Sequence, residues 1–296
     1  MKFLISFCNQ SGDSRNNLLL IDLKTGKKRY LLNNVGGFTG LGQDSKYLYA
    51  LSQTSPTRIY IIEKGSGKSI LLQKLEEVLD PHSLAVSENF LYVVSTGNDQ
   101  VLQYKFDRVK NKLFFQKIFW WPNGSDKISD THHINSLFML NNQMYVSAFG
   151  PKKSEKWSSA DEGYILNITE NRKEIEHIYH PHSIFTEGSI FSKRNIYYCE
   201  SSTKSVKKNN LTLIKLDLGY TRGLYLQGKY LALGTSSGRK HSKSTGLINN
   251  PADEGTPEDD CRLLIFKKNF FNKFVLKKSF DFLPNHKEIY AIIALT

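Results

Sequence analysis

Cysteine is scarce in this chain of 296 residues: Cys8, Cys199 and Cys261 are the only three. They form no C-x-x-C pair and no zinc-finger spacing, so a disulfide framework and a structural zinc module are both excluded. Reduced thiols in a cytoplasmic protein fit this usage best. Long apolar runs are missing too, since nothing approaches the roughly 18 residues a membrane helix needs. The opening MKFLISFCNQSG has too short an apolar stretch for a signal peptide and no small-residue cleavage site; it reads as a strand. No glycine motif of the phosphate-cradling kind occurs, which removes the common nucleotide-binding classes.

One sign of charge is short. Against 40 basic residues stand 28 acidic ones, a net charge of +12. Such an excess suits an anionic ligand, an acidic surface or simply basic solvated faces. The lysines are scattered singly or in pairs and the aromatics belong to strands, so no nucleic-acid partner is expected. No membrane partner is expected either.

What the chain does have is aromatic residues, 15 Tyr and 18 Phe among them, in short stretches suited to a pleated sheet. It also repeats itself. GGFTGLGQ leads to Leu41, DPHSLAV to Leu84, HHINSLF to Leu137, HPHSIF to Ile184, GYTRGLYL to Leu224 and NHKEIYAI to Ile289. The anchors are spaced by 43, 53, 47, 40 and 65 residues, a range that indicates propeller blades or helical arrays. Strand texture decides between them. Each anchor is followed by alternating or aromatic segments such as SKYLYALS, ENFLYVVSTG and NNQMYVSAFG, bounded by Gly, Asn, Ser and Lys turns. Only SILLQKLEEVL could pass for a helix, and it occupies a fourth-strand slot.

Four strands per unit, repeated radially, predict an all-β fold: a six-bladed β-propeller, with seven blades as the alternative. The last anchor has one strand after it, IYAIIAL, and the N-terminus supplies three, KFLISF, NLLLIDL and KRYLLN. Pairing 289–295 with 2–7 would close the ring and remove two free sheet edges. Residues 1–296 thus read as one propeller domain, with 238–260 as a flexible insertion loop.

Two residues before each anchor stand Thr39, His82, Asn135, His182, Arg222 and Lys287. First strands line the channel of a propeller, so these slots are expected to converge at its mouth, where ligands commonly bind. His133, His286 and Glu200 are placed beside them. So many basic groups would repel one another without an anionic ligand or acidic partners, and the acids at hand are Asp80, Asp130, Glu200 and Glu288. His82, His182, His133 and Glu200 could ligate a metal, but Arg222 and Lys287 in the same ring oppose a dication; no metal is expected, and no cofactor is indicated. The alternative for Pro-His-Ser is a staple that satisfies backbone groups of the next blade.

The assembled motifs resemble a family of uncharacterised bacterial propellers, a domain of unknown function. Its His-x-Asn matches His133 and Asn135, its Pro-His-Ser matches His182 and Ser183, its Gly-Tyr-x-Arg-Gly-Leu contains Arg222, and its Glu-Ile-Tyr contains Glu288 and Tyr290. The resemblance covers roughly residues 80–296. The chain departs from it at CESS, which holds Glu200, and at GTSSGR, which holds Arg239. It implies the propeller fold and no particular activity.

The functional expectation is a cytoplasmic propeller that takes a small anionic or sugar-derived ligand. If it turns that ligand over, His82 or His182 would move a proton in lyase, isomerase or hydrolase chemistry, while Arg222 and Asn135 would stabilise negative charge. The alternative is a non-catalytic propeller that binds a peptide, polysaccharide or partner protein. The loop 150–163 is expected on the same face, with Trp157 exposed at its tip and suited to stacking on a sugar.

Overall fold

The computed structural model describes residues 1–8, 16–33, 35–122, 129–188, 194–238 and 259–295. The insertion read at 238–260 and Arg239 fall almost wholly outside this set. Among the described residues, twenty-four strands form six antiparallel sheets of four. The first holds β1 (Lys2–Phe7), β2 (Leu18–Asp22) and β3 (Lys28–Tyr30). The second runs β4 (Phe38–Gln43), β5 (Tyr47–Ser52), β6 (Arg58–Glu63) and β7 (Ser69–Lys74), so the helix-like SILLQK is a strand. The third comprises β8 (Pro81–Val86), β9 (Phe90–Ser95), β10 (Gln100–Asp107) and β11 (Lys112–Trp120). The fourth has β12 (Ile134–Leu140), β13 (Gln143–Ala148), β14 (Gly163–Asn167) and β15 (Arg172–Ile178). The fifth is β16 (Pro181–Glu187), β17 (Asn195–Glu200), β18 (Ser205–Lys208) and β19 (Leu211–Lys215). The sixth is β20 (Tyr220–Gln227), β21 (Tyr230–Ser236), β22 (Arg262–Lys268) and β23 (Phe274–Asp281), and β24 (Ile289–Ala294) returns to β1.

This is the six-bladed propeller, closed as the termini predict. The Leu295 N–H donates to the Lys2 carbonyl, and the Ala291 N–H donates to Ser6 Oγ at 3.0 Å. One strand from the C-terminus thereby completes a sheet whose other three come from the N-terminus, and β1 is paired on both sides, by β24 and β2.

Packing divides the chain into two compact units, Met1–Asp130 with Ile134–Leu137 and Tyr290–Thr296, and Thr131–His133 with Phe138–Ile289. In the first unit Tyr47, Tyr49, Leu51, Ile59, Ile61, Leu84, Val93 and Leu102 form one buried cluster. In the second, Tyr197, Cys199, Val206, Leu224, Leu231, Leu233 and Leu264 do the same. Every second residue of the middle strands faces such a cluster, the period that a strand imposes.

First strands share one irregularity. The register slips by one residue just after Arg222 in β20, just after Pro81 in β8 and between His182 and Phe185 in β16. An extra residue at a bulge bends the strand and re-aims its side chains. Ser183 and Gly223 take left-handed backbone there, at φ 53° and 66°.

Candidate functional site

The serine of each Pro-His-Ser is the staple. Ser83 Oγ accepts the Leu137 N–H at 3.1 Å in the first unit, and Ser183 Oγ accepts the Gly223 N–H at 2.8 Å in the second. Each ties the start of one blade to the first strand of the next. Hydroxyls at the ends of second strands add to this: Thr96 donates to the Ile134 carbonyl at 2.5 Å and Ser201 to that of Thr221 at 2.6 Å. At the second motif the bulge leaves Ser183 out of the β16–β17 ladder, whereas Ser83 stays paired with Val94. The histidines are then left for other work.

Four residues before the anchors stand Asp80, His133 and His180, equivalent positions that all adopt left-handed backbone, with φ of 47°, 52° and 48°. Non-glycine residues take this conformation rarely, and it concentrates at sites where the surroundings impose it. In the first unit His82 is buried; its Nδ1 lies 3.0 Å from the Asp80 carbonyl and 3.7 Å from the Asp80 carboxylate. The His82 ring meets Tyr290 edge-on at 5.5 Å. Asn135 is buried in the same unit and accepts a bond from Ser136 Oγ at 3.0 Å.

The second unit gathers more. Phe149 is the hub: His180 stacks on it at 4.5 Å with 24° between planes, His133 lies tilted at 4.5 Å, and His182 meets it edge-on at 5.2 Å. Trp157 packs on His133 at 4.7 Å and on Phe149 at 5.9 Å. The chain holds this geometry by its backbone. Gly150, at φ 81°, donates to the His132 carbonyl at 3.1 Å, which pulls Phe149 back against His133. A β-carbon on Gly150 would sit 2.3 Å from the Glu162 carbonyl oxygen, so the position requires glycine on both counts.

Trp157 corrects one expectation. It is only 8% exposed and opens a short 3-10 turn, Trp157–Ser159, rather than standing out at a loop tip. Its carbonyl lies 3.0 Å from His180 Nε2, while Lys152 Nζ sits 4.5 Å over its ring. The indole N–H is buried and has no hydrogen-bond partner among the described residues. An unmade bond of that kind costs about 1–3 kcal/mol.

Burial holds the His180 imidazole below its ordinary pKa of 6.5, and the nearby His133 and Arg222 act in the same direction. The ring is therefore neutral at pH 7. Arg222 faces Glu288, with Nη1 3.5 Å from the carboxylate. Glu288 thus supplies one of the acids that the basic slots called for. Glu200 supplies another locally: it is buried, bonded to Lys207 at 2.6 Å, to Thr203 Oγ1 at 2.6 Å and to the Tyr179 N–H at 3.1 Å. Burial alone would raise its pKa, but these three donors hold the carboxyl below the usual range. By gripping Tyr179, Glu200 fixes the turn that presents His180.

His286 is buried beside Phe282, its N–H donating to the Phe282 carbonyl at 3.0 Å. Lys287 is exposed and its carbonyl accepts from Ser237 at 2.8 Å; Glu288, not Lys287, faces the β20 bulge. His180 and Phe149 were not among the residues singled out from sequence. The signal for His180 was present, because it aligns with Asp80 and His133. Phe149 gave none, since an aromatic at a strand end reads as core. Among the described residues no group of three or more His, Cys, Asp or Glu could hold a metal ion.

A family profile, the domain of unknown function DUF4915, matches residues 71–296. The chain belongs to this family. Its fold is shared with solved structures at low identity. One is a Lactobacillus plantarum protein, at 12% identity and TM-score 0.59 over 98% of each chain. Another comes from a nidogen/laminin complex, at 11% identity and TM-score 0.63, covering 98% of this chain and 97% of that one. A third is a Bacteroides fragilis protein described as a candidate 6-phosphogluconolactonase, at 12% identity and TM-score 0.59 over 99% and 97%. No curated protein matches. Similarity at this level speaks to the fold of the DUF4915 chain alone. No helix among its described residues is long and apolar enough to cross a membrane.

Proposed function

We propose that this DUF4915 propeller binds a small anionic or sugar-derived ligand at the His133, His180, His182 and Arg222 cluster of its second unit. The observation that carries the reading is three imidazoles packed around one Phe149 ring, with Arg222 on the adjoining first strand next to the Gly223 that Ser183 holds. His180 Nε2 is taken by the Trp157 carbonyl, so on the neutral ring Nδ1 remains as an acceptor for a ligand hydroxyl. Arg222 offers a planar fork suited to a carboxylate or phosphate. Its pairing with Glu288, at 3.5 Å, is long for a charge-assisted bond, so a ligand oxyanion can compete for it. If the ligand is turned over, His180 or His182 is the proton acceptor and Arg222 stabilises the developing charge. His82 and Asn135 belong to the first unit, and the reading does not draw on them. The description of the Bacteroides fragilis neighbour falls in the same ligand class, which supports the choice of probes.

The test is calorimetric titration with sulfate, gluconate and gluconate 6-phosphate, paired with imidazole NMR. A bound anion should raise the His180 pKa, and Arg222→Met should weaken binding at least about tenfold. If none of these anions binds or moves any of the three imidazoles, the reading is wrong.

A further inference from the structure

The β22–β23 hairpin carries a feature unrelated to that site. Its tip, KKNFFNK (267–273), holds Phe270 at 95% and Phe271 at 77% exposure. The two rings touch each other, edge to face at 5.7 Å. The backbone fixes them outward. Asn269 Oδ1 accepts the N–H groups of Phe271 at 3.0 Å and Lys273 at 2.9 Å, Asn269 N–H donates to the Lys273 carbonyl at 2.9 Å, and Asn272 takes left-handed backbone at φ 58°. The tip is thus a built turn whose most projecting groups are phenyl rings.

Charge surrounds it. Lys267 and Lys268 end β22, Lys273 closes the turn, Lys277 and Lys278 lie on β23, and residues 267–278 contain no acidic side chain. Lys267 Nζ lies 5.3 Å over the ring of half-exposed Tyr230, and Lys268 Nζ 5.3 Å over Phe274. At about 3.3 Å per strand residue, the backbone of Lys277 and Lys278 lies roughly 10–13 Å along β23 from its start at the tip. In the neighbouring blade of the same unit, the corresponding turn reads Lys207-Lys208-Asn209-Asn210-Leu211, with Leu211 66% exposed, but there Lys207 is paired with Glu200.

We infer that this hairpin is a peripheral docking finger for an anionic phospholipid surface, with Phe270 and Phe271 entering the interface and the lysines meeting the headgroups. The depth order is the argument: apolar rings outermost on a convex tip, cations behind, no acid among them. That order matches a bilayer, where acyl chains lie beneath charged headgroups, and it presents no groove for a protein side chain to fill. Either signal alone gives weak, reversible binding, whereas apolar insertion and a polybasic patch reinforce each other. No spanning segment is required, and a docked finger departs from the sequence expectation of no membrane partner, which took no account of exposed rings at a turn. The register Arg222↔Gly234, Gln227↔Tyr230 and Tyr230↔Lys267 puts the tip at the end of its sheet remote from Arg222, so docking leaves that end facing water.

Flotation of the full chain with vesicles of phosphatidylcholine alone, and of phosphatidylcholine mixed with phosphatidylserine, tests this. The wild type should float with the phosphatidylserine vesicles only, and less as salt rises. The variant Phe270→Ser/Phe271→Ser should lose at least about tenfold in bound fraction with an unchanged melting temperature, since both rings are exposed. Lys268→Gln/Lys273→Gln should lose binding in low salt. Absence of wild-type flotation overturns the inference, as does equal flotation of the serine variant. Concentration-dependent self-association that the serine variant abolishes, without vesicle binding, would make the finger a contact between copies. Binding of single-stranded DNA that survives loss of both phenylalanines would make it a nucleic-acid patch.

Discussion

The Phe149 ring stacks on the His180 imidazole at 4.5 Å, with 24° between planes, and this contact covers one face of the imidazole. The His180 pKa falls because of burial first, with His133 and Arg222 adding to it. Phe149→Leu should admit water to one face of the ring. NMR titration should then find His180 shifted back towards its ordinary value. Thermal unfolding should show a loss of about 1–2 kcal/mol, the usual result of imperfect replacement in a packed cluster. An unmoved His180 would mean that the stacking is not what desolvates it.

The same group sets a pH dependence. His180 has a lower pKa folded than unfolded, so between the two values the unfolded chain binds more protons and stability rises with pH. Its contribution is complete above about 6.5 and is lost as pH falls from there through the folded pKa. Glu200 acts further down: its contribution is present above the ordinary carboxylate range and is lost as pH drops below it. Melting temperature measured across pH should therefore fall in two stages. His180→Gln should flatten the first stage and leave the second.

Arg222 and Glu288 form a partly buried pair at 3.5 Å. Arg222→Met leaves a buried carboxylate without that partner and should cost about 1–3 kcal/mol. Glu288→Gln in the same background should recover part of it. A double-mutant cycle by denaturant unfolding measures the coupling, and a value near zero would show that the two groups are held by other neighbours.

Ser183→Ala removes the acceptor of the Gly223 N–H, and Ser83→Ala that of the Leu137 N–H. Each should cost about 1–3 kcal/mol in unfolding experiments. The neighbouring His182→Ala should act chiefly on ligand binding. That division of labour within one tripeptide fails if His182→Ala proves the more destabilising substitution.

Deletion of residues 1–8 removes the strand that hydrogen-bonds to β24 and exposes two edges. Aggregated protein is expected. A truncated chain that stays monomeric with an unchanged melting temperature would contradict the closure.

Strand content, blade number and closure were legible because they depend on period: apolar alternation at every second residue, anchors some 40–65 residues apart, and one strand left over at one end with three at the other. The recurrence of Pro-His-Ser was also legible, as were His133, His182 and Arg222 as candidates. Local sequence could not assign the serine and the histidine their separate tasks. A one-residue bulge turns Ser183 towards Gly223 and leaves His182 against Phe149, and a bulge is a property of two paired strands. Trp157 shows the same limit: its polar loop suggests exposure, yet Gly150 and the turn at 157–159 fold it under His133. Charge partners were beyond reach for the same reason. Which acid meets Arg222 depends on a contact between residues 66 positions apart, and Coulomb attraction and desolvation follow distance in space. The sequence by itself determined the strands, their repeat and the ring they close; only the tertiary structure decided which side chains are brought out of water together, and with that their chemistry.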